Sequence, residues 1–133
     1  MDSTRLATGH LTSRPARYAQ SIRIGHHELV ADEPVALGGG DAGIAPYGLL
    51  LASLAACTAI TLRMYAERKG WELGEVRVDL EMTREGDVET VARTISCGAA
   101  LSEEQLRRLG EIADKTPVTK TLKRSIAITT TVR

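Results

Sequence analysis

The sequence predicts an α+β fold whose elements follow the order ββ-α-ββ-α-β, and three observations predict it. Segments that alternate apolar and polar residues occur in two pairs, each joined by a turn that contains glycine. A long apolar stretch without helix breakers separates the two pairs. A second stretch, with apolar residues at helical spacing, follows the second pair. Strand pairs alternating with helices in this way indicate the α+β class.

The first predicted hairpin spans residues 17–31. The segment "RYAQSIRI" alternates and predicts a strand, and "GHHELVAD" predicts a turn and a return strand. Residues 1–16 are polar and lack periodicity. We therefore expect residues 1–16 to be a flexible segment and residues 17–133 to form one domain.

The central helix is predicted to open at Pro46, run from about Tyr47 to Lys69 and end at Gly70. Between Leu49 and Leu62 it is apolar on almost every side. A helix of this kind must be surrounded by protein. One small sheet from the same chain cannot cover it all round, so we expect a second subunit to take part.

The second hairpin is predicted from "EVRVDLEMTRE" and "VARTISCGAAL", which flank a Gly-Asp turn. The helix "SEEQLRRLGEIADK" follows, with Ser102 as N-cap and Gln105 at the capping-box position. Thr116 precedes Pro117 at a further helix start. The segment "SIAITTTVR" is predicted to be a closing strand.

Composition excludes several classes of protein. The chain has 17 Lys and Arg residues and 17 Asp and Glu residues, so it lacks the basic excess of a nucleic-acid binder. The N-terminus shows no signal-peptide h-region, and the apolar stretch 49–62 is too short to span a bilayer. Its two cysteines suit free thiols in a reducing compartment. We expect a cytoplasmic protein without membrane or nucleic-acid partners.

Cys57 is the candidate catalytic residue, and two interpretations of it stay open. Its helix face is apolar apart from two hydroxyl groups, which is typical of a small buried core residue. A reactive thiol would need a nearby cation, since Cys57 lies about three turns into its helix and the helix end cannot lower its pKa. The residues that share its face are Leu50, Ser53, Leu54, Ile60, Thr61 and Met64.

The remaining candidates are weaker. Cys97 lies within a predicted strand, where packing is the simpler role. The histidines His10, His26 and His27 show no ligand spacing with the cysteines, so we expect neither a metal nor another cofactor. "GGGD" lacks the ending of a phosphate loop, and loop flexibility is the better interpretation of its glycines.

Two segments carry a resemblance to a known family. "ADEPVALGGGDAGIAPYGLLLASLAACTAITLRMYAERKGWEL" closely resembles the OsmC/Ohr family of osmotically inducible and organic hydroperoxide resistance proteins. "LSEEQLRRLGEIADKTPVTKTL" resembles the family's second segment in the right order. The resemblance covers roughly residues 17–132. It implies an intertwined α+β homodimer with buried central helices, which agrees with the second subunit expected above.

The resemblance also implies a chemistry. A peroxidatic cysteine on the central helix is oxidised by an organic hydroperoxide to a sulfenic acid. A resolving cysteine in a Lys-Cys-Pro-Val-His segment then condenses with it to a disulfide, which a dithiol reduces. An arginine lowers the pKa of the first thiol, and a glutamate near the helix start positions that arginine.

Only part of this constellation is present. Cys57 stands at the peroxidatic position, but Thr116 replaces the resolving cysteine and Thr119 the histidine. Tyr47 and Gly48 occupy the place where the glutamate is expected. The activating arginine is not evident, and the candidates are Arg14, Arg17 and Arg23.

Three functional hypotheses follow. The first is a one-cysteine peroxidase in which Cys57 reduces an organic hydroperoxide and an external thiol resolves it, as in oxidative stress defence. An unactivated thiol of pKa about 8.5 would be only a few per cent ionised at neutral pH. The second is a non-catalytic dimer that binds a hydrophobic small molecule beside Tyr47, Leu50, Thr116 and Pro117. In the third, Cys97 acts as the resolving thiol.

Overall fold

A computed structural model describes residues 3–133 and confirms the α+β class. The chain divides into two compact units, and the boundary between them falls inside the first helix, after Leu50. The strands and α-helices are β1 (Gly9–Ser13), β2 (Gln20–Ile24), β3 (His27–Ala31), α1 (Pro46–Lys69), β4 (Val76–Glu85), β5 (Val88–Cys97), α2 (Glu103–Ala113) and α3 (Pro117–Lys123), and a short 3-10 helix spans Val35–Leu37.

The first unit contains a three-stranded antiparallel sheet in the order β1-β2-β3. The predicted hairpin over 17–31 is confirmed as β2 and β3, joined at Gly25 in the left-handed conformation. The predicted element order lacks a strand at residues 9–13, and the structure adds it as β1, which pairs with the outer edge of β2. Such pairing depends on the edge that β2 offers and leaves little trace in the periodicity of the segment. Met1 and Asp2 lie outside the described residues.

One buried carboxylate holds the loop between β3 and α1. Asp32 is 4% exposed. Its Oδ1 accepts the Glu33 N–H at 2.7 Å, and its Oδ2 accepts the N–H groups of Gly40 and Ala42 at 3.2 and 3.1 Å. The side chain therefore closes the glycine-rich loop back on the end of β3.

The glycines of this loop serve close backbone packing. A Cβ at Gly39 would collide with the carbonyl oxygen of Glu33, and a Cβ at Gly43 with that of Val30. Only glycine allows such an approach. This packing explains the two glycines, contrary to the interpretation of the segment as flexible.

Helix α1 begins at Pro46 and ends before Gly70, whose φ is +70°, as predicted. A single stripe of it is buried within the chain, and it consists of Leu54, Thr58, Leu62 and Ala66. On other faces Ile60 and Met64 are 54% and 52% exposed. The expected full burial of this helix is therefore not reached within one chain.

The whole of α1 is longer than the apolar stretch 49–62, and by length and composition alone it could also cross a membrane. The core helix of a soluble protein passes the same test.

The second unit is built on the antiparallel β4-β5 hairpin, which turns at Gly86 with φ of +62°, as predicted. Its core joins α1 to α2 and consists of Leu62, Ala66, Leu73, Leu109 and Ala113. The inward residues of β4 and β5, among them Val76 and Ile95, pack against this core.

The capping box of α2 is confirmed. Ser102 Oγ accepts the Gln105 N–H at 3.1 Å, and Gln105 Oε1 accepts the Ser102 N–H at 2.9 Å. Helix α3 begins at the helix start expected after Thr116, which is its N-cap, although the predicted order counted only two helices.

The predicted closing strand over residues 125–133 is wrong for this chain, because residues 125–133 form no regular element. Ile126, Ile128 and Val132 are 61%, 83% and 89% exposed. A strand needs a neighbouring strand for its backbone hydrogen bonds, and among residues 3–133 no partner strand is paired with this segment.

Candidate functional site

Cys57 lies on α1 in the second unit, one residue before the buried Thr58. Its thiol is free and half-buried. Its Sγ lies 3.9 Å from Thr61 Oγ1, one turn further along the helix. Helical spacing thus places a hydroxyl against the sulfur, and the side chain keeps access from outside the chain's own core.

Arg93 occupies an inward-facing position of β5. The strand alternates, so Arg93 shares a face with Val91, Ile95 and Cys97, and these four residues are half-buried whereas their neighbours are exposed. The Arg93 side chain is 13% exposed. A charged residue at a core-facing strand position must find hydrogen-bond partners inside the protein.

The guanidinium of Arg93 joins three helices. Its Nη1 donates to Thr58 Oγ1 on α1 at 2.9 Å and to Thr119 Oγ1 on α3 at 3.0 Å. Its Nη2 donates to the carbonyl oxygen of Ala113, at the end of α2, at 3.0 Å. The fork of the guanidinium can hold these elements together because its donors point in fixed, diverging directions.

Two threonines complete this network. Thr116 is fully buried, and its Oγ1 accepts the Thr119 N–H at 3.4 Å as the N-cap of α3. The two hydroxyl oxygens lie 2.6 Å apart. Thr119 also donates to the carbonyl oxygen of Ala113 at 3.2 Å. Among the described residues no buried side-chain nitrogen or oxygen atom is left without a hydrogen-bond partner.

The positive charge of Arg93 is only partly compensated. Its nearest carboxylate is Asp114, 3.5 Å away, and the Asp114 side chain is 67% exposed. The other acceptors are neutral, although the carbonyl of Ala113 belongs to the negative end of the α2 dipole. Arg93 therefore brings a cation against the helix residue that follows Cys57.

A pocket of about 430 Å³ opens beside Arg93. Leu54, Val91 and Leu122 form its apolar wall. Arg93 and Lys123 also line it. This volume falls in the range of small-molecule sites. The pocket lies next to the Arg93 network and contains neither cysteine in its lining.

Cys97, at the end of β5, is packed against the core of the second unit. Burial raises the pKa of its thiol, and the positive charge of Arg63 offsets part of that rise. A raised pKa leaves less thiolate at neutral pH, which is unfavourable for a resolving role.

The predicted site residues divide between the two units. Tyr47 and Leu50 belong to the first unit, whereas Cys57, Thr116 and Pro117 belong to the second. Thr116 is the buried N-cap of α3, and Pro117 is its exposed first residue. The role of these residues as a ligand-binding set stays a prediction.

The candidate activating arginines, Arg14, Arg17 and Arg23, all belong to the first unit. Arg17 lies over the ring of Tyr18, with its Cζ 4.7 Å from the ring centroid. Their proposed action on Cys57 likewise stays a prediction. Among residues 3–133, no group of His, Cys, Asp or Glu side chains forms a metal site.

Sequence reasoning missed Arg93, although a signal was present. In "VARTISC" the alternating positions are Val91, Arg93, Ile95 and Cys97, so the arginine stands in the apolar register of its strand. A charge in that register indicates a buried polar partner set. What the alternation does not reveal is that the partners lie on three different helices.

Comparison with models of known protein families gives a match. The model of the OsmC-like protein family matches residues 38–131. No curated protein matches the chain in sequence.

Solved structures share the fold at low identity. An organic hydroperoxide resistance protein OsmC from Legionella pneumophila is 17% identical, with a TM-score of 0.69 and 92% of each chain covered. OhrB of Bacillus subtilis, an organic hydroperoxide resistance protein, is 20% identical, with a TM-score of 0.65, 90% of this chain and 91% of that chain covered. An OsmC-like protein from Mycoplasma pneumoniae is 18% identical, with a TM-score of 0.67, 92% of this chain and 89% of that chain covered.

Proposed function

The chain belongs to the OsmC-like protein family, and from that membership we propose that it reduces organic hydroperoxides in oxidative stress defence, with Cys57 as the reacting thiol. The family match includes Cys57 and extends through α3. Two of the structural neighbours are named as organic hydroperoxide resistance proteins.

The observation that carries this proposal is the state of Cys57. Its thiol is free and half-buried, on a helix that is buried along one stripe only. A nucleophilic sulfur needs both access and freedom from a disulfide. Cys97 is also free and half-buried, but burial raises the pKa of its thiol and leaves less of it as thiolate at neutral pH.

The proposed cycle uses one protein cysteine. The Cys57 thiolate attacks the terminal peroxide oxygen, the O–O bond breaks, and the alkoxide that leaves takes up a proton to become an alcohol. The resulting sulfenic acid condenses with an external thiol, which releases water and forms a mixed disulfide. A second external thiol then attacks the external sulfur of the mixed disulfide, which releases the Cys57 thiolate and joins the two external thiols in a disulfide. Thr116 cannot resolve the sulfenic acid because it carries no sulfur.

We propose that the active form is a homodimer in the cytoplasm. The exposed apolar residues Ile60 and Met64 on α1, and the unpaired C-terminal segment 125–133, support a second copy of the chain as the missing cover. Soluble proteins rarely leave large apolar areas exposed to water, so we expect a second copy of the chain to cover these residues.

The test is the rate at which cumene hydroperoxide oxidises the Cys57 thiol of the reduced protein. Mass spectrometry would follow the Cys97→Ser variant, in which Cys57 is the sole thiol, and the Cys57→Ser variant as control. Fast, saturable oxidation of the first variant alone supports the proposal. Equal, slow oxidation of both thiols, at the rate of a free small thiol, would overturn it.

A second candidate is a non-catalytic module that binds a hydrophobic small molecule. The observation that favours it is the closed hydrogen-bond network at Thr116 and Thr119, the positions that the resemblance assigns to the resolving cysteine and the histidine. The pocket with Leu54, Val91 and Leu122 offers an apolar wall nearby. This function predicts that apolar ligands raise the melting temperature of Cys57→Ser as much as that of the unmodified protein. A panel of such ligands without any thermal shift would exclude it.

A further inference from the structure

A second pocket, of about 460 Å³, lies beside the only tryptophan of the chain. It is formed by the last turn of α1, the segment that follows it and the first turns of α2. It shares no lining residue with the Arg93 pocket and does not include Cys57. Its chemistry is therefore separate from the thiol chemistry proposed above.

The wall of this pocket is aromatic. The rings of Tyr65 and Trp71 pack edge to face with centroids 5.6 Å apart. Two cations approach the Tyr65 ring, with Lys69 Nζ 5.7 Å and Arg108 Cζ 5.6 Å from its centroid. Trp71 is half-buried and lines the pocket, so it presents a π surface beside positive charges.

Two polar residues at the start of α2 have hydrogen-bond donors that the capping box does not use. The capping box uses the side-chain oxygens of Ser102 and Gln105 as acceptors. It leaves the Ser102 O–H and the two N–H donors of Gln105 Nε2 without an acceptor among the described residues. Both side chains line the pocket, so these donors are available to an occupant.

The arginines of the pocket also have N–H donors that are not paired. Arg107 and Arg108 each donate Nη1 to the carboxylate of Glu111, at 2.7 and 3.2 Å. Their Nη2 groups have no acceptor within residues 3–133. With Lys69 they place three cations in the lining against one carboxylate, that of Glu104, in a chain whose formal net charge is zero.

We propose that this pocket binds a phosphate monoester carried on a planar aromatic group, and a nucleoside monophosphate is the natural class. Donors from Lys69, Ser102, Gln105 and Arg107 outnumber the lone-pair directions of one carboxylate, whereas a phosphate offers three terminal oxygens. The aromatic ring of the ligand would stack on Trp71, an interaction that tolerates any base. This site is additional to the proposed peroxide reduction and independent of it.

Trp71 makes the test specific, because all tryptophan fluorescence of the protein comes from the pocket wall. The full chain would be titrated with AMP, with adenosine and inorganic phosphate as partial ligands. We expect saturable quenching by AMP, competition by phosphate, and weaker binding of adenosine. Linear quenching without saturation would overturn the proposal.

A matched pair of variants tests the cation. Arg107→Gln removes a lining charge, and Arg77→Gln removes an equally exposed charge that pairs only with Asp79 and lines no part of the pocket. The site predicts that Arg107→Gln weakens AMP binding about tenfold or more, the effect of one charge-assisted hydrogen bond, and that Arg77→Gln changes it less than about twofold. Equal weakening by both variants would show general attraction to positive charge and would overturn the site.

Discussion

The hydroxyl oxygens of Thr116 and Thr119 lie 2.6 Å apart in the first turn of α3, and Arg93 donates to one of them at 3.0 Å. The resemblance assigns a resolving cysteine and a histidine to these two positions. In this chain both are threonines and both are buried. The two departures thus belong to one hydrogen-bond network centred on a buried arginine. In this chain the network holds elements of the fold together at the positions to which the resemblance assigns redox residues.

Arg93→Met is expected to destabilise the second unit by about 2–3 kcal/mol, because it removes a charged donor from buried acceptors on three helices. Methionine retains much of the side-chain volume, so the effect isolates the lost hydrogen bonds. Urea denaturation would measure it. The matched control is Arg77→Met, whose side chain is 70% exposed and whose loss should cost less than about 0.5 kcal/mol. Similar midpoints for the two variants would contradict a bridging role for Arg93.

Thr116→Cys tests whether the resemblance aligns the redox positions correctly. In a Cys97→Ser background, hydroperoxide should convert Cys57 and the new thiol to a disulfide, with the loss of two hydrogens in the intact mass. The parent with Thr116 should instead gain one oxygen at Cys57. Gain of oxygen by both proteins would mean that position 116 cannot reach Cys57.

Asp32 should make the stability of the first unit depend on acid pH. The N–H of Ala42, followed by those of Glu33 and Gly40, lowers the pKa of Asp32, and partial desolvation opposes them. Its contribution is therefore present above the unfolded value of about 3.9 and is lost as pH falls through the lower folded value.

Asp32→Asn should lower stability at neutral pH and flatten its dependence on pH below about 4, as followed by thermal unfolding. Asp41→Asn is the control in the same loop, since Asp41 is exposed and its positive φ suits asparagine. Identical pH profiles for Asp32→Asn and the parent protein would refute the role of the carboxylate.

Ile60→Lys tests the homodimer. If a second copy covers the exposed face of α1, an unpaired ammonium in that interface is costly to bury, and the chain should sediment as a monomer. Val88→Lys, at a somewhat more exposed position beside the β4-β5 turn, should leave the dimer intact. A dimer that survives Ile60→Lys would exclude this face as the interface.

Local patterns predicted the elements whose partners are close in sequence. The capping box of Ser102 and Gln105, the stop at Gly70 and the Gly86 turn are confirmed because each depends on a few neighbouring residues. The predictions were wrong where pairing decides the outcome. Strand β1 forms on the edge of β2, and the segment 125–133 finds no partner strand within the described chain.

The sequence by itself determined the α+β class, the family, the position of Cys57 on its helix and the absence of sulfur at Thr116. These features follow from periodicity, from residue identity and from motifs whose residues are close together. Only the tertiary structure decided that Arg93 reaches Thr58, Thr119 and the end of α2, and that Asp32 closes the glycine loop. A hydrogen bond depends on where atoms meet, and residues up to 35 positions apart meet only after the chain has folded.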